Sequence, residues 1–97
     1  MPFAAICHDH DGDTPQQLRA SELQAHLDYV DAIADRVLVA GPLTTGGSET
    51  YNASIFIYAA DSEAEARQLL EDDPYYRAGI YSSVTLAPFT PARGTWL

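Results

Sequence analysis

The sequence contains no lysine and only five basic residues, against 14 acidic residues, so its formal net charge is −9. So few scattered arginines cannot build a basic stripe, and we therefore expect no nucleic acid partner. The same negative charge disfavours anionic membrane surfaces. An anionic substrate would have to be met by a single arginine or by backbone amides, because no basic cluster exists.

Cysteine pairs and long apolar runs are also missing. The one cysteine, Cys7, cannot form an intrachain disulfide framework. No apolar run approaches the roughly 18 residues of a membrane-spanning helix, and the first residues lack the charged start of a signal peptide. We therefore expect no membrane partner and a cytoplasmic location. Neither a nucleophile elbow, a phosphate-binding loop nor a dinucleotide fingerprint occurs, so no cofactor is expected.

The sequence does contain enough apolar residues for a packed core, since 46% of its 97 residues are hydrophobic. This length corresponds to about one small domain. We expect a single domain over residues 1–97, with a core at about 2–90 and a tail at 91–97. A domain of this size buries only about 60–65% of its unfolded surface, so self-association would add to its stability.

Four segments rich in β-branched and aromatic residues, each bounded by turn residues, predict strands. They cover residues 2–8, 37–43, 53–60 and 82–89. Between the first two strands, Thr14-Pro15 and Ser21-Glu22 resemble helix starts, which predicts a short turn near 15–19 and a main helix over 22–34.

A second helix is predicted between the third and fourth strands. The Ser62-x-x-Glu65 pattern is a capping box that begins this helix, and Asp73-Pro74 ends it, because a residue before proline avoids the α region. The resulting order β-α-β-β-α-β is that of an α+β, ferredoxin-like fold.

The strands also indicate association of two chains. Residues 55–58 and 3–7 are consecutive apolar positions, a pattern typical of strands buried on both faces. Both helices of a ferredoxin-like unit cover the same face of its sheet, so something else must cover the other face. We expect a second copy, giving a homodimer whose two sheets form a barrel; a ligand alone, or an exposed face, is the alternative.

His26 is the most informative polar residue of the main helix. The apolar stripe formed by Leu23, Leu27 and Val30 is expected to face inward, and His26 lies about 40° from Val30 and about 60° from Leu23. An imidazole at the edge of the interior is suited to proton transfer near neutral pH. On spacing alone, a histidine that only packs and hydrogen-bonds is the more common outcome.

Asp73 is a second candidate, because a carboxylate at the end of a helix opposes the helix dipole and so suggests a specific partner. A histidine close to such a carboxylate would have its tautomer fixed and its cation stabilised. An ordinary Asp-Pro helix stop is the alternative. Tyr75, Tyr76 and Tyr81 form an amphipathic group that could line a pocket, although core packing is the commoner role of tyrosine.

The acidic segment over residues 7–13 resembles a metal site, because it is rich in aspartate and histidine. It does not fit a calcium loop, because Thr14 stands where glycine is required and Ala20 stands where the closing glutamate is required. His8 and His10 would supply only two ligands. We therefore expect no metal site and interpret this segment as a solvated loop.

Several motifs together resemble the YCII-related (YciI-like) family over about residues 2–90. They are Ala25-His26-Leu27 on the first helix, Val39-Ala40-Gly41-Pro42-Leu43 in the second strand, Asp72-Asp73-Pro74-Tyr75 after the second helix, Ala78-Gly79-Ile80-Tyr81, and a last strand ending at Pro88-Phe89.

This resemblance implies a dimeric α/β barrel with a ferredoxin-like protomer and a pocket for a small, often aromatic molecule. It also implies that His26 and Asp73 are a catalytic pair. We predict that Tyr75, Tyr81, Gly41 and Pro42 contact the substrate. Relatives often have arginine three residues before the histidine, where this chain has Leu23, so an anionic group would be bound differently here or not at all.

Two functions follow as hypotheses. In the first, the chain is a cofactor-independent enzyme in which His26 and Asp73 catalyse elimination or isomerisation of a small cyclic molecule. In the second, the same pocket binds a metabolite without catalysis and the protein has an accessory role. A purely structural interaction module is a third reading, and it predicts no pocket beside His26.

Overall fold

The computed structural model describes residues 1–97. Four antiparallel strands form one sheet in the order β2-β3-β1-β4. The strands are β1 (Pro2–Asp9), β2 (Val37–Leu43), β3 (Ala53–Ala59) and β4 (Tyr81–Pro88). This order, with the first and third strands in the centre, is the ferredoxin-like arrangement. The predicted α+β fold is therefore confirmed, and all four strands agree with their predicted bounds to within one residue.

Each crossover between strands carries two helices. The first crossover contains α1 (Thr14–Ser21) and α2 (Leu23–Ala32), and the second contains α3 (Glu63–Glu71) and α4 (Pro74–Arg77). A single 3₁₀ turn at Ala34–Arg36 leads into β2. None of these helices combines the length and the apolar character that crossing a membrane requires.

The first crossover differs from its prediction of a short turn and one long helix. The segment expected to be a short turn is the eight-residue helix α1, and Ser21 ends this helix instead of capping the next one. Its Oγ donates a hydrogen bond to the Leu18 carbonyl, 3.3 Å away. The reason is tertiary, because α1 is fastened to β1 through Arg19 and Asp9, and local sequence patterns do not show such contacts.

The second crossover follows its prediction closely. Ser62 Oγ accepts a hydrogen bond from the Glu65 amide at 3.1 Å, and the Glu65 carboxylate reaches back to the Asp61 amide at 3.3 Å. The serine half is the capping expected from the sequence, whereas the Glu65 carboxylate binds the amide one residue before the N-cap. At its far end Asp73 begins α4, and Gly79, with a φ of +79°, makes the turn into β4.

The hydrophobic core lies on one face of the sheet, where β1 and β3 meet the helices. It includes Phe3, Ala5, Cys7, Phe56 and Tyr58 from the strands, with Ala66 and Leu70 from α3. The opposite face also carries apolar side chains, which share a face through the register of the strands. They are Ala4, Ile6, Val39, Ile55 and Ile57.

This second face is only partly covered within one chain. The β3 residue Ile57 is buried, but Val39 on the neighbouring strand is 40% exposed. On β1, burial alternates along the strand, so the expectation that this strand is covered on both sides is not met by a single chain. The apolar side chains Ala4, Ile6 and Ile55 on this face are likewise only partly buried.

Candidate functional site

A cleft of about 530 Å³ lies between the helices α1 and α2 and the strands β2 and β3. Its apolar walls come from Leu23, Leu27 and Val30 on α2 and from Phe56 on β3. The apolar stripe predicted to face the core therefore faces this cleft. Leu23 and Leu27 are 47% and 44% exposed, since they line an open cleft and not a closed core. A helical pattern identifies an apolar face but does not show what will cover it.

Helix α2 packs on α1 and α4 and forms the wall of the cleft that faces β2 and β3. On its other side, the Tyr29 hydroxyl donates a 2.6 Å hydrogen bond to the Leu69 carbonyl and so ties α2 to α3. Burial and the nearby carboxylates Asp72 and Asp73 raise the pKa of Tyr29 to about 12. This hydroxyl therefore keeps its proton and its hydrogen bond.

His26 and Asp73 are in direct contact, although 47 residues separate them in the sequence. His26 Nδ1 lies 2.8 Å from one carboxylate oxygen of Asp73 and 3.0 Å from the other. The first of these oxygens also accepts the Tyr75 amide at 2.9 Å, which is the N-cap interaction of α4. Asp73 is wholly buried, so its position is fixed by the start of a helix on one side and by an imidazole on the other.

The His26 ring is held in place by aromatic contacts. It stacks on Tyr75 with 3.9 Å between ring centroids and an interplanar angle of 5°, and it meets Phe56 edge-on at 6.2 Å. No protein group forms a hydrogen bond with Nε2, and this nitrogen is not fully buried. Nε2 is therefore accessible from the cleft, while Nδ1 faces the buried carboxylate.

The other residues predicted to contact a substrate divide into two groups. Tyr75, Gly41 and Pro42 line the cleft together with His26. Asp73 stands behind His26 and does not itself reach the cleft. Tyr81 lies in a second layer, where its hydroxyl donates to Ser54 Oγ at 3.2 Å; it is Ser54 that lines the cleft at this point.

Arg19 also lines the cleft, and it was not among the site residues predicted from the sequence. Its Nε and Nη2 donate to the two oxygens of Asp9, each at 2.8 Å, and Nη2 also contacts Ser54 Oγ at 3.0 Å. Burial alone lowers the pKa of Arg19, but the hydrogen bond and charge of Asp9 outweigh burial and raise it. Arg19 lies on α1, outside the predicted main helix, and no local pattern in the sequence marks it.

The buried groups behind the cleft are not candidates for acid–base or nucleophilic chemistry. Burial, followed by the charge of Asp73, raises the pKa of the Cys7 thiol to about 12. Burial likewise raises the pKa of the Tyr58 and Tyr81 hydroxyls. These groups stay neutral at physiological pH. No three potential metal-ligating side chains converge in the chain, and Asp9 of the acidic segment is paired with Arg19.

Two solved structures share this architecture. The chain is similar to the 5-chloro-2-hydroxyhydroquinone dehydrochlorinase TftG from Burkholderia phenoliruptrix, solved in complex with 2,5-dihydroxybenzoquinone. The two are 26% identical with a TM-score of 0.83, over 95% of this chain and 96% of that chain. The protein Atu4242 from Agrobacterium tumefaciens, 13% identical with a TM-score of 0.56 over 96% of this chain and 95% of that chain, shares the fold.

No curated protein sequence matches the chain. The family model of the YCII-related domain, however, matches residues 1–90. These residues include every strand, both pairs of helices, the His26–Asp73 contact and all of the cleft. The chain therefore belongs to the YCII-related family.

Proposed function

We propose that the chain is a cofactor-independent enzyme in which His26 transfers a proton to or from a small cyclic molecule bound in the cleft. The observation that carries this proposal is the orientation of the imidazole. Nδ1 contacts the buried Asp73 carboxylate at 2.8 Å, while Nε2 is accessible from the cleft. A histidine with one nitrogen held and the other free has the arrangement of a general acid–base catalyst.

Asp73 serves this proton transfer without meeting the substrate. Its carboxylate accepts the Nδ1 hydrogen, which leaves Nε2 unprotonated and basic in the neutral ring. When Nε2 takes a proton, the imidazolium that forms lies against a carboxylate already in place, so no group has to reorganise during the reaction. The Tyr75 amide at 2.9 Å holds that carboxylate in position.

The chemistry proposed for this pair is elimination from a hydroxylated ring. The similar enzyme TftG is named for removing the elements of HCl from a chlorinated hydroxyhydroquinone. Such a step starts from the keto tautomer of the substrate, in which a hydroxyl hydrogen has moved to the ring carbon that bears chlorine. Nε2 of His26 then accepts the proton of a second ring hydroxyl, the O–H electron pair forms a carbonyl, the ring double bond shifts towards the chlorinated carbon, and chloride leaves with the carbon–chlorine electron pair. The cleft walls of leucine, valine and phenylalanine suit a small ring of this kind.

Chloride release from 5-chloro-2-hydroxyhydroquinone tests this proposal. We expect the wild-type protein to release chloride faster than buffer alone, and 2,5-dihydroxybenzoquinone to inhibit this release competitively. Saturable binding of 2,5-dihydroxybenzoquinone with no release of chloride above the buffer rate would contradict the enzymatic function and favour the non-catalytic binding protein. The measurement needs only a chloride assay and a concentration series of each compound.

We also propose that the working protein is a homodimer whose two sheets face each other as a barrel. The apolar surface of Ala4, Ile6, Ile55 and Val39 supports this proposal, because one chain leaves it partly open. We expect sedimentation at micromolar concentration to give twice the chain mass of 10.6 kDa, and Ile6→Asp to shift the protein towards the monomer. A monomeric wild-type protein would exclude the barrel.

A further inference from the structure

We infer that Arg19 and Ser54 form a subsite for an ionised oxygen, so that the molecule in the cleft carries a phenolate, enolate or carboxylate group. This inference deepens the proposed function and rests on it for the occupant of the cleft. It concerns binding alone, so it can be tested without any turnover.

The guanidinium of Arg19 has one free edge. Nε and Nη2 donate to Asp9, and Nη2 additionally contacts the Ala53 carbonyl at 3.2 Å and Ser54 Oγ at 3.0 Å. No protein group accepts a hydrogen bond from Nη1. Nη1 is not fully buried, and the Arg19 side chain lines the cleft. Its two N–H groups are therefore available to a ligand there.

The one fixed charge on the lining of the cleft is positive, although the chain as a whole is acidic. Of the 14 residues that line it, Arg19 is the only one with a fixed charge, and none is acidic. The chain as a whole has a net charge of −9. Asp9 holds the guanidinium in place and has a side chain only 2% exposed. Arg19 thus offers a fixed cation to an anion that the rest of the surface repels.

Ser54 supplies a second donor at the same place. Its Oγ accepts hydrogen bonds from Arg19 Nη2 at 3.0 Å and from the Tyr81 hydroxyl at 3.2 Å. A serine hydroxyl has two acceptor positions and one hydrogen, so both acceptor positions are occupied and the hydrogen remains. Ser54 lines the cleft, and its hydrogen can be donated to the oxygen that Arg19 binds.

Tyr75 relates this subsite to the proposed catalytic histidine. Its ring stacks on His26 at 3.9 Å, and the guanidinium carbon of Arg19 lies 5.5 Å from the centre of the same ring. One small ring in the cleft can therefore place an oxygen at Arg19 and a proton near His26. When that proton leaves, negative charge develops on the ring oxygen, where fixed donors stabilise it best.

Benzoate and benzamide are the probes for this subsite, because they share a ring and nearly a shape but differ in charge. We expect NMR titration to show that the wild-type protein binds benzoate roughly 10- to 100-fold more tightly than benzamide, the range for hydrogen bonds to charged groups. Equal affinities, including no binding of either compound, would overturn the inference.

Variants assign the preference to the two residues. The double variant Asp9→Asn/Arg19→Gln removes both charges without leaving a lone buried carboxylate, and we expect its preference for benzoate to disappear. Arg67→Gln, the same change on an exposed arginine of α3, should keep the wild-type preference. A preference that persists in the double variant would contradict the inference.

Ser54→Ala provides a second variant that keeps both members of the Arg19–Asp9 ion pair, although it removes one acceptor of Arg19 Nη2. We expect benzoate to bind about three- to tenfold more weakly to it, the range for one neutral donor, with benzamide less affected. If the double variant fails to fold, an unchanged benzoate affinity in Ser54→Ala still counts against the inference.

The outcome is separable from that of the proposed function. In His26→Ala the charge preference is expected to remain, because the anion is held by Arg19 and Ser54. A protein that discriminates benzoate from benzamide but releases no chloride would retain the subsite and lose the enzymatic function. A protein that releases chloride without this discrimination would do the reverse.

Discussion

Replacing His26 by alanine is expected to lower kcat for chloride release by about 10²- to 10⁴-fold, the usual contribution of a positioned general acid or base. The imidazole is the only group of the cleft that combines an accessible basic nitrogen with a buried carboxylate partner. In the variant a water molecule could accept the proton, but the protein would not hold it in a fixed orientation as it holds the imidazole. The measurement is the initial rate of chloride release at saturating substrate.

Binding should be affected much less than turnover by this substitution. We expect the affinity for 2,5-dihydroxybenzoquinone to change only a few-fold, because the apolar walls and Arg19 remain. His10→Ala is the matched control, since His10 is an exposed histidine outside the cleft, and it should keep the wild-type rate. Chloride release in His26→Ala within a few-fold of wild type would exclude His26 as the acid–base group.

Replacing Arg19 by methionine is expected to destabilise the fold by about 3–5 kcal/mol, the cost of leaving one member of a buried ion pair alone. The side chains of Arg19 and Asp9 are 9% and 2% exposed, and two 2.8 Å hydrogen bonds join them. Without the arginine, the Asp9 carboxyl group stays buried without its ionic partner. Chemical denaturation at fixed protein concentration measures the loss.

The double variant Asp9→Asn/Arg19→Met separates this effect from lost packing. It should be more stable than Arg19→Met alone, because the unpaired charge is gone while the apolar stem remains. Arg67→Met is the exposed control: its pair with Glu71, 3.9 Å apart on α3, should contribute only about 0.3–0.5 kcal/mol. A double variant no more stable than Arg19→Met would show that the lone carboxylate is not the source.

Local sequence rules explain why the strands and the second crossover were predictable. Residues 53–59 are rich in β-branched and aromatic side chains and form β3, one of the two central strands. The capping pattern at Ser62 and the Asp73-Pro74 step each act within a few residues, and both appear in the structure where the pattern places them. The contact of His26 with Asp73 is a different matter, because only family resemblance indicated it.

The first crossover and Arg19 were not predictable in the same way, because their determinants are distant in the sequence. Arg19 is held by Asp9 from β1 and by Ser54 from β3, and no local pattern announces either partner. For the same reason, the spacing of Leu23 and Leu27 correctly predicted which side chains of α2 share a face. It wrongly predicted that this face meets the core, whereas it lines the cleft. Helix periodicity reports which side chains point together, and tertiary packing decides whether they meet a core or a cleft.

The position of the proton on His26 connects the fold to the proposed chemistry. A neutral imidazole whose Nδ1 carries the hydrogen donates it to Asp73 and leaves Nε2 free towards the cleft. Asp73→Asn keeps the size of the side chain but offers an amide N–H to Nδ1, which favours the opposite tautomer. The tautomer can be observed without knowing the substrate.

Nitrogen-15 NMR of the imidazole, at a pH where the ring is neutral, measures this property directly. The expected result is a protonated Nδ1 and an unprotonated Nε2 in the wild-type protein, with the tautomer shifted towards Nε2–H in Asp73→Asn. A wild-type His26 with the hydrogen on Nε2, or one whose tautomer does not respond to Asp73→Asn, would contradict the account.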